Sequence, residues 1–329
     1  MAIQNNKNFM TKFLWIFIFI TGFIVGFLFQ KFTENTTSLK ETRMPRGYTF
    51  ISPLLECEGF DNHYTQTAKL KHQLEESVED LESNTGISDI SIYYRDLNNG
   101  PWVGINEQEL FSPASLIKVP LLIGYLKSAD IDPKILERTL TTPALLNYTD
   151  QNFIPTNKLS SNTEYTVLEL LRQMIQQSDN NAYDMLLSAF DNNELIEIYQ
   201  ELGVDISRAK TDPAGNILTL RNYASFFRIL YNSTYLSPVM SEKALFILSA
   251  TNFENGIDGG IPNNVLTAHK FGERLYVKTG EKQLHDCGIV YATIKPYLLC
   301  IMTRGTDFYE LSKAIQEVSR ITYSFVTSK

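Results

Sequence analysis

The chain has 329 residues, 43% hydrophobic and 20% charged, with a formal net charge of -8. That much apolar material supports one large globular domain or two modest ones and excludes a largely disordered chain. The acidic balance, with no basic stripe beyond the first 46 residues, excludes phosphate-directed nucleic-acid binding.

Residues 13–29, FLWIFIFITGFIVGFLF, form a run of 17 uncharged residues, near the lower limit for a helix that crosses a bilayer. No small-x-small cleavage site follows, so the run reads as an uncleaved signal anchor over 13–30, after a cytoplasmic N-terminus, 1–12. Lys7 and Lys12 precede it while Lys31, Lys40, Arg43 and Arg46 follow, so the positive-inside bias does not set the orientation. A polar tether, 31–60, comes next; Leu-Leu-Glu before Cys57 lacks the small residue of a lipoprotein cleavage site.

From 61 to 329 the pattern is that of a folded domain. Leu70, Leu74, Val78 and Leu81 predict a helix over 62–83. ISDISIYYRDL and PWVGINE, on either side of Asn98-Asn99-Gly100, predict two strands around a tight turn. Between Ser112 and Leu248 helical spacing recurs over 168–177, 182–189, 194–202 and 220–231. RLYVKTG, GIVYATI and YLLCIMTRG then read as strands, and Leu311, Ile315, Val318, Ile321 and Phe325 mark one face of a closing helix. The economical architecture is a sheet assembled from both ends of the domain with a helical insertion between.

Three cysteines make no disulfide framework. A turn at Lys295-Pro296 would set Cys300 opposite Tyr291, so Cys57, Cys287 and Cys300 read as buried free thiols. His63, His72 and His269 lack ligand spacing and read as surface residues; His285 and Asp286 read as loop residues before a strand.

The chemistry gathers at FSPASLIKVP. Ser112 as N-cap with Pro113 at the first helical position places Ser115 in the first turn, where unpaired backbone N–H groups can hold an oxyanion. Lys118, three residues on, shares that face and can take the Ser115 proton if desolvation lowers its pKa. Ser-x-x-Lys alone occurs by chance, but Ser178-Asp179-Asn180 and Lys278-Thr279-Gly280 follow in order. With these three motifs the chain, from about residue 62 to its end, resembles the class A β-lactamases and penicillin-recognising serine hydrolases.

The resemblance implies an α/β fold of the α+β kind, a β-lactamase-like antiparallel sheet flanked by helices with a helical subdomain inserted, here behind an N-terminal transmembrane helix. It implies a hydrolase that opens β-lactam amides through acyl-Ser115, with its catalytic domain extracytoplasmic; the apolar run at 13–30 would make it membrane-anchored and single-pass. The rival reading is a D,D-peptidase or other peptidoglycan peptide acyl hydrolase; a third is a non-catalytic binding module. Lys118 would be the base and Ser178 the proton donor to the leaving nitrogen. Asn180 would hold a substrate amide, and Lys278, Thr279 and Gly280 its carboxylate along a strand edge. The backbone N–H of Glu281 would be the second oxyanion donor, and Asp179 a structural acceptor. Partners would be a β-lactam or a peptidoglycan stem peptide, with a monomeric catalytic domain and no metal or organic cofactor.

Where the family carries Glu-Pro-x-x-Asn, this chain has Asp212-Pro213-Ala214-Gly215-Asn216. Asp212 is thus the candidate water-activating base, with Asn216 helping to hold the water, but its carboxylate is one methylene short. Lys210 stands where the family has Arg, and no Asp or Glu lies between Pro213 and Ser241 to pin the loop. Arg304 or Arg274 is the candidate for the family's basic residue after Lys-Thr-Gly, each read as a solvated strand-end arginine.

Overall fold

A computed structural model describes Trp15, Thr21, Gly22 and residues 40–43, 47–58, 64–98, 100–146, 151–202, 212, 215–293 and 295–328. The expected membrane span, 13–30, lies almost wholly outside these; among the described residues no helix is long and apolar enough to cross a membrane. The chain divides into two compact units, and the larger, Glu41–Cys57 with Asn62–Lys329, carries the main sheet, the helices packed on it and the site described below.

Two short strands, β1 (Lys40–Arg43) and β2 (Leu54–Glu58), come first. Helix α1 (Tyr64–Asn84) leads into β3 (Ile87–Asp96), β4 (Trp102–Ile105) and β5 (Leu110–Phe111). A 3-10 turn, Ala114–Ile117, runs into α2 (Lys118–Ile131). The helical region continues through β6 (Thr139–Thr141), β7 (Glu164–Thr166), α3 (Val167–Gln176), α4 (Asn180–Ala189) and α5 (Asn192–Glu201). After β8 (Leu218–Thr219), α6 (Leu220–Asn232) and α7 (Pro238–Leu248) come the long strands β9 (Thr267–Leu275), β10 (Lys282–Val290) and β11 (Tyr297–Gly305), and helix α8 (Phe308–Thr327) closes the chain.

The main sheet has the order β4-β3-β11-β10-β9, antiparallel throughout, so its two halves come from opposite ends of the domain. Strand alternation sorts β11 between two cores. Leu299 and Ile301 face α1 and α8, with Leu70, Leu74, Ile315 and Val318. Leu298, Cys300 and Met302 face the inserted helices, with Leu122, Leu171, Phe226 and Leu245. Each such side chain, fully buried, contributes roughly 1.5–3 kcal/mol of transfer free energy. Strand β9 is the sheet edge beside the 3-10 turn, and that edge carries the site.

The tether expected to reach residue 60 docks earlier. Phe50 and Ile51 are buried in the second core, and the backbone N–H groups of Thr49, Phe50 and Ile51 all donate to the Glu242 carboxylate.

The cysteine reading is corrected here. Val290 pairs with Tyr297, so residues 291–296 form the connection; the register then sets Cys287 directly opposite Cys300, and the two form a disulfide. A turn centred on Lys295-Pro296 had shifted the expected register by four residues. The side chain of Cys57 lies outside the described residues.

Candidate active site

The turn that presents Ser115 differs from the expected cap. Ala114, just before the serine, has φ 45°, and no side chain caps the 3-10 turn, so Ser112 is not a helix N-cap. A left-handed alanine is strained by about 1 kcal/mol or more and persists only where its surroundings hold it. They do so here. Buried Ser112 donates its N–H to Gln283 Oε1 (3.0 Å), its carbonyl accepts from His285 Nε2 (3.1 Å), and Tyr223 donates to the Leu116 carbonyl (3.2 Å).

Lys118 begins α2 and is 1% exposed. Its Nζ lies 3.1 Å from Ser115 Oγ, 3.2 Å from Ser178 Oγ, 2.7 Å from Asn180 Oδ1 and 2.6 Å from the Ser178 carbonyl. Burial pushes its pKa down to about 7, against the charges of Asp179, Asp184 and Glu273. The amine is therefore partly neutral near pH 7, the form that can accept the Ser115 proton. Ser178 sits at φ 52°, turning its hydroxyl and carbonyl toward the same amine. Asp179 is the structural acceptor expected: it caps α4 through the Ala182 N–H (3.0 Å).

The third motif is not where its letters place it. Strand β9 ends at Leu275, and Lys278-Thr279-Gly280 form the exposed turn of the β9–β10 hairpin, with Thr279 and Gly280 N–H groups on the Tyr276 carbonyl and Gly280 at φ 76°. The Glu281 N–H is spent on Thr279 Oγ1 (3.2 Å), so it is not aimed at an oxyanion. The lysine on Ser178 is Lys270, fully buried within β9: its Nζ donates to Ser178 Oγ (2.9 Å) and to the Phe271 carbonyl (2.9 Å). Burial and the nearby Lys118 hold its pKa well below the usual lysine value, against Asp286 and Glu273.

Two residues on, Gly272 lets the strand approach the nucleophile turn. A Cβ there would stand 3.2 Å from both the Leu116 nitrogen and the Pro113 carbonyl oxygen. Lys270-Phe271-Gly272 thus occupies the place expected of Lys278-Thr279-Gly280. The sequence signal was a lysine and a glycine at alternate, same-face positions of the run TAHKFG, eight residues before the literal motif.

Asp212 is not brought to Lys118. Its carbonyl accepts from Gly215 N and its Oδ2 from Asn216 N (3.0 Å), the hydrogen bonds of a turn-forming aspartate, and it is not among the groups bonded to Lys118 Nζ above. Asn216 Oδ1 instead accepts from Gln283 Nε2 (3.2 Å). With Tyr276, Thr279, Glu281 and Arg304, Asp212 and Asn216 line a separate open cleft of about 410 Å³. Arg304 is not a solvated strand end: it pairs with Asp89 (2.9 Å) and Glu281 (3.5 Å) and is largely buried. Exposed Arg274 lies over the Tyr276 ring.

Two histidines are also corrected. His269 is fully buried in β9, with Nδ1 2.9 Å from Asp286 Oδ1 and Nε2 3.4 Å from Asp258 Oδ2. Burial alone would lower its pKa, but the two carboxylates outweigh that and raise it to about 10. His285 and Asp286 lie inside β10, both fully buried, rather than in a loop. His285 accepts from the Thr303 N–H at Nδ1 (3.3 Å), and burial lowers its pKa to about 3, so it stays neutral and braces Ser112. His72 is on the surface, paired with Glu76, and His63 lies outside the described residues.

A serine, a lysine of lowered pKa and a second serine held between two amines form an arrangement chemically able to transfer an acyl group, and residues 72–326 match the Beta-lactamase2 beta-lactamase enzyme family. The chain belongs to that family. It is a serine hydrolase with the family's α/β fold. Solved structures agree in fold: a PBP-A variant as its acyl-enzyme with penicillin G (24% identity, TM-score 0.64, covering 78% of this chain and 96% of that one). A β-lactamase from Xanthomonas campestris pv. campestris gives 19% identity and a TM-score of 0.67 over 78% and 98%. An ancestral class A β-lactamase gives 22% and 0.65 over 76% and 98%. No curated protein matches.

Proposed function

We propose that this chain is a membrane-anchored serine acyl hydrolase that opens β-lactam or peptide-like amides through acyl-Ser115 and releases the acyl group slowly. This behaviour is nearer to a D,D-peptidase or other peptidoglycan peptide acyl hydrolase than to a fast lactamase. The observation that carries it is the complete acylation web around Lys118 combined with Asp212 turned into its own loop.

Ser115 Oγ attacks the carbonyl as Lys118 takes its proton, and Ser178, held between Lys118 and Lys270, passes a proton to the leaving nitrogen. The oxyanion rests on the backbone N–H groups of Ser115 and, after Gly272, of Glu273, which takes the part expected of Glu281. The anchor follows from the apolar run at 13–30, and the extracytoplasmic placement from where such substrates lie.

Intact-mass spectrometry of the full-length protein with excess penicillin tests this. An adduct should form at Ser115, vanish in Ser115→Ala and persist for hours after the penicillin is removed. Asp212→Asn should leave the adduct's lifetime within about threefold; a lifetime lengthened by the order of 10²-fold, as loss of a water-activating base predicts, would restore Asp212 to the mechanism.

A further inference from the structure

Glu273, the residue after Gly272 on β9, holds a carboxylate that the acylation chemistry does not use. Its Oε1 accepts from the backbone N–H groups of both Asn152 and Phe153 (3.0 Å each), while its Oε2 is buried without a hydrogen-bond partner. An unsatisfied buried oxygen is costly, and a neutral amide would accept the same two N–H groups without burying a charge. Fastening that segment does not by itself call for a glutamate.

The segment, 151–157, is a strap between two sides of the site. At its far end Gln177, the residue before Ser178, accepts at Oε1 from Thr156 N (3.1 Å) and Thr156 Oγ1 (2.9 Å), and Gln173 Nε2 donates to the Asn157 carbonyl. Asn252 adds another point there, with Nδ2 on Thr156 Oγ1 (3.1 Å) and its N–H on the Gln176 carbonyl (2.8 Å). The near end is held by the Glu273 carboxylate and by the Phe153 ring, edge-on to Phe253 at 4.7 Å. One oxygen of Glu273 thus connects the strand carrying Lys270 and Gly272 to the turn carrying Ser178. Ser178 Oγ must stay in reach of amines on two separate elements, Lys118 on α2 (3.2 Å) and Lys270 on β9 (2.9 Å), so the spacing of those elements bears directly on proton transfer.

The charge has a use of its own. Burial raises the Glu273 pKa, against its two N–H bonds and the amines of Lys270 and Lys118. Lys118 in turn faces Asp179, Asp184 and Glu273, three carboxylates that favour its protonated form against burial.

We propose that Glu273 is a positioning residue for acylation of Ser115: its carboxylate ties the 151–157 strap, and through it Gln177 and Ser178, to the edge strand of the site. This rests on Ser115, Lys118 and Ser178 acting as described. The side chain makes and breaks no bond; it sets where Ser178 stands between its two amines.

The test uses full-length protein in detergent as the parent, Glu273→Ala, Glu273→Gln, Gln177→Ala and the Glu273→Ala/Gln177→Ala double variant. Acylation by excess benzylpenicillin is followed by rapid-quench intact mass across the pH range, with thermal melts to report folding. Glu273→Ala frees the strap and should acylate roughly 10- to 100-fold more slowly on the high-pH plateau, the cost of about 1 Å of misplacement. Glu273→Gln keeps the acceptor and should recover to within about threefold of the parent. Its pH midpoint should move down by roughly half a unit, since Lys118 loses one of the charges that hold its proton. Gln177→Ala should slow acylation too, and the double variant should be about as slow as the slower single, because both cut one connection. Glu273→Ala within about threefold of the parent, Glu273→Gln as slow as Glu273→Ala, or single losses that multiply would each overturn the proposal while leaving Ser115 in place. If Glu273→Ala does not fold, a parent-like rate in Gln177→Ala with an unmoved midpoint in Glu273→Gln overturns it equally. A parent that takes no label at Ser115 from penicillin or from a fluorophosphonate removes the nucleophile, and this inference with it.

Discussion

Replacing Lys270 by methionine, and separately Lys278 by methionine, distinguishes the lysine on Ser178 from the lysine of the literal motif. Lys270→Met removes the donor 2.9 Å from Ser178 Oγ, leaving proton delivery to Lys118 alone. Loss of a positioned proton-transfer partner costs about 10²- to 10⁴-fold, or about 3 to 5 kcal/mol in the acylation barrier. The side chain is fully buried and methionine is of similar length, so no cavity opens and the cost of burying an amine disappears. The melting temperature should therefore hold or rise while acylation collapses. Lys278, exposed in the hairpin turn, should change acylation by less than about threefold on substitution, as surface changes away from a site usually do. Rapid-quench intact mass with a cephalosporin reads both rates, and thermal melts report folding. A Lys270→Met protein within threefold of the parent, or a Lys278→Met protein more than tenfold slower, would refute the assignment.

Acylation should fall about tenfold per pH unit below pH 7 and level off above it, because the neutral form of Lys118 accepts the proton and its pKa is about 7; a flat profile from pH 5 to 8 would exclude Lys118 as the base. His269, with a folded pKa of about 10 against an unfolded value of about 6.5, contributes stability that is full below pH 6.5 and lost as pH rises toward 10. Lys118 and Lys270, lowered on folding, act in the opposite direction, so the quantity to follow is the melting-temperature difference between the parent and His269→Asn, which should shrink from pH 6 to pH 9. A constant difference would show that the imidazole is not held protonated. Alkylation of the unfolded, unreduced chain should modify Cys57 alone, since Cys287 and Cys300 are joined, and reduction should cost at most about 3 kcal/mol for a loop this short.

The helices and the sheet were legible because amphipathic spacing reports burial directly: Leu70, Leu74 and Val78 are all buried where their period placed them. Ser115, Lys118 and Ser178 were legible for a related reason, as short-range motifs whose spacing is itself the geometry. The third motif failed because a tripeptide in a strand and the same tripeptide in a turn read alike; what separates them is the end of β9 at Leu275. Lys270 and His269 were not legible because lysine and histidine ordinarily lie at the surface, and a buried polar side chain is stable only through partners distant in sequence such as Ser178 and Asp286. The cysteine pairing turned on the length of one hairpin connection, which apolar runs on either side do not specify.

The central strand pair joins residues from opposite ends of the domain: Ile92 lies against Ile301, about 200 residues later in the chain, so much closure entropy precedes the first contact between them. During synthesis β3 and β4 therefore leave the ribosome as an unpaired apolar hairpin and wait for β11, the last strand made, before their open edge is covered. A chain stopped between Lys270 and Tyr297 would keep Ser115, Lys118, Ser178 and Lys270 but lack the strand on which the halves meet. Such truncations should be cleared by proteolysis as a whole domain, and refolding of the complete chain should be slow.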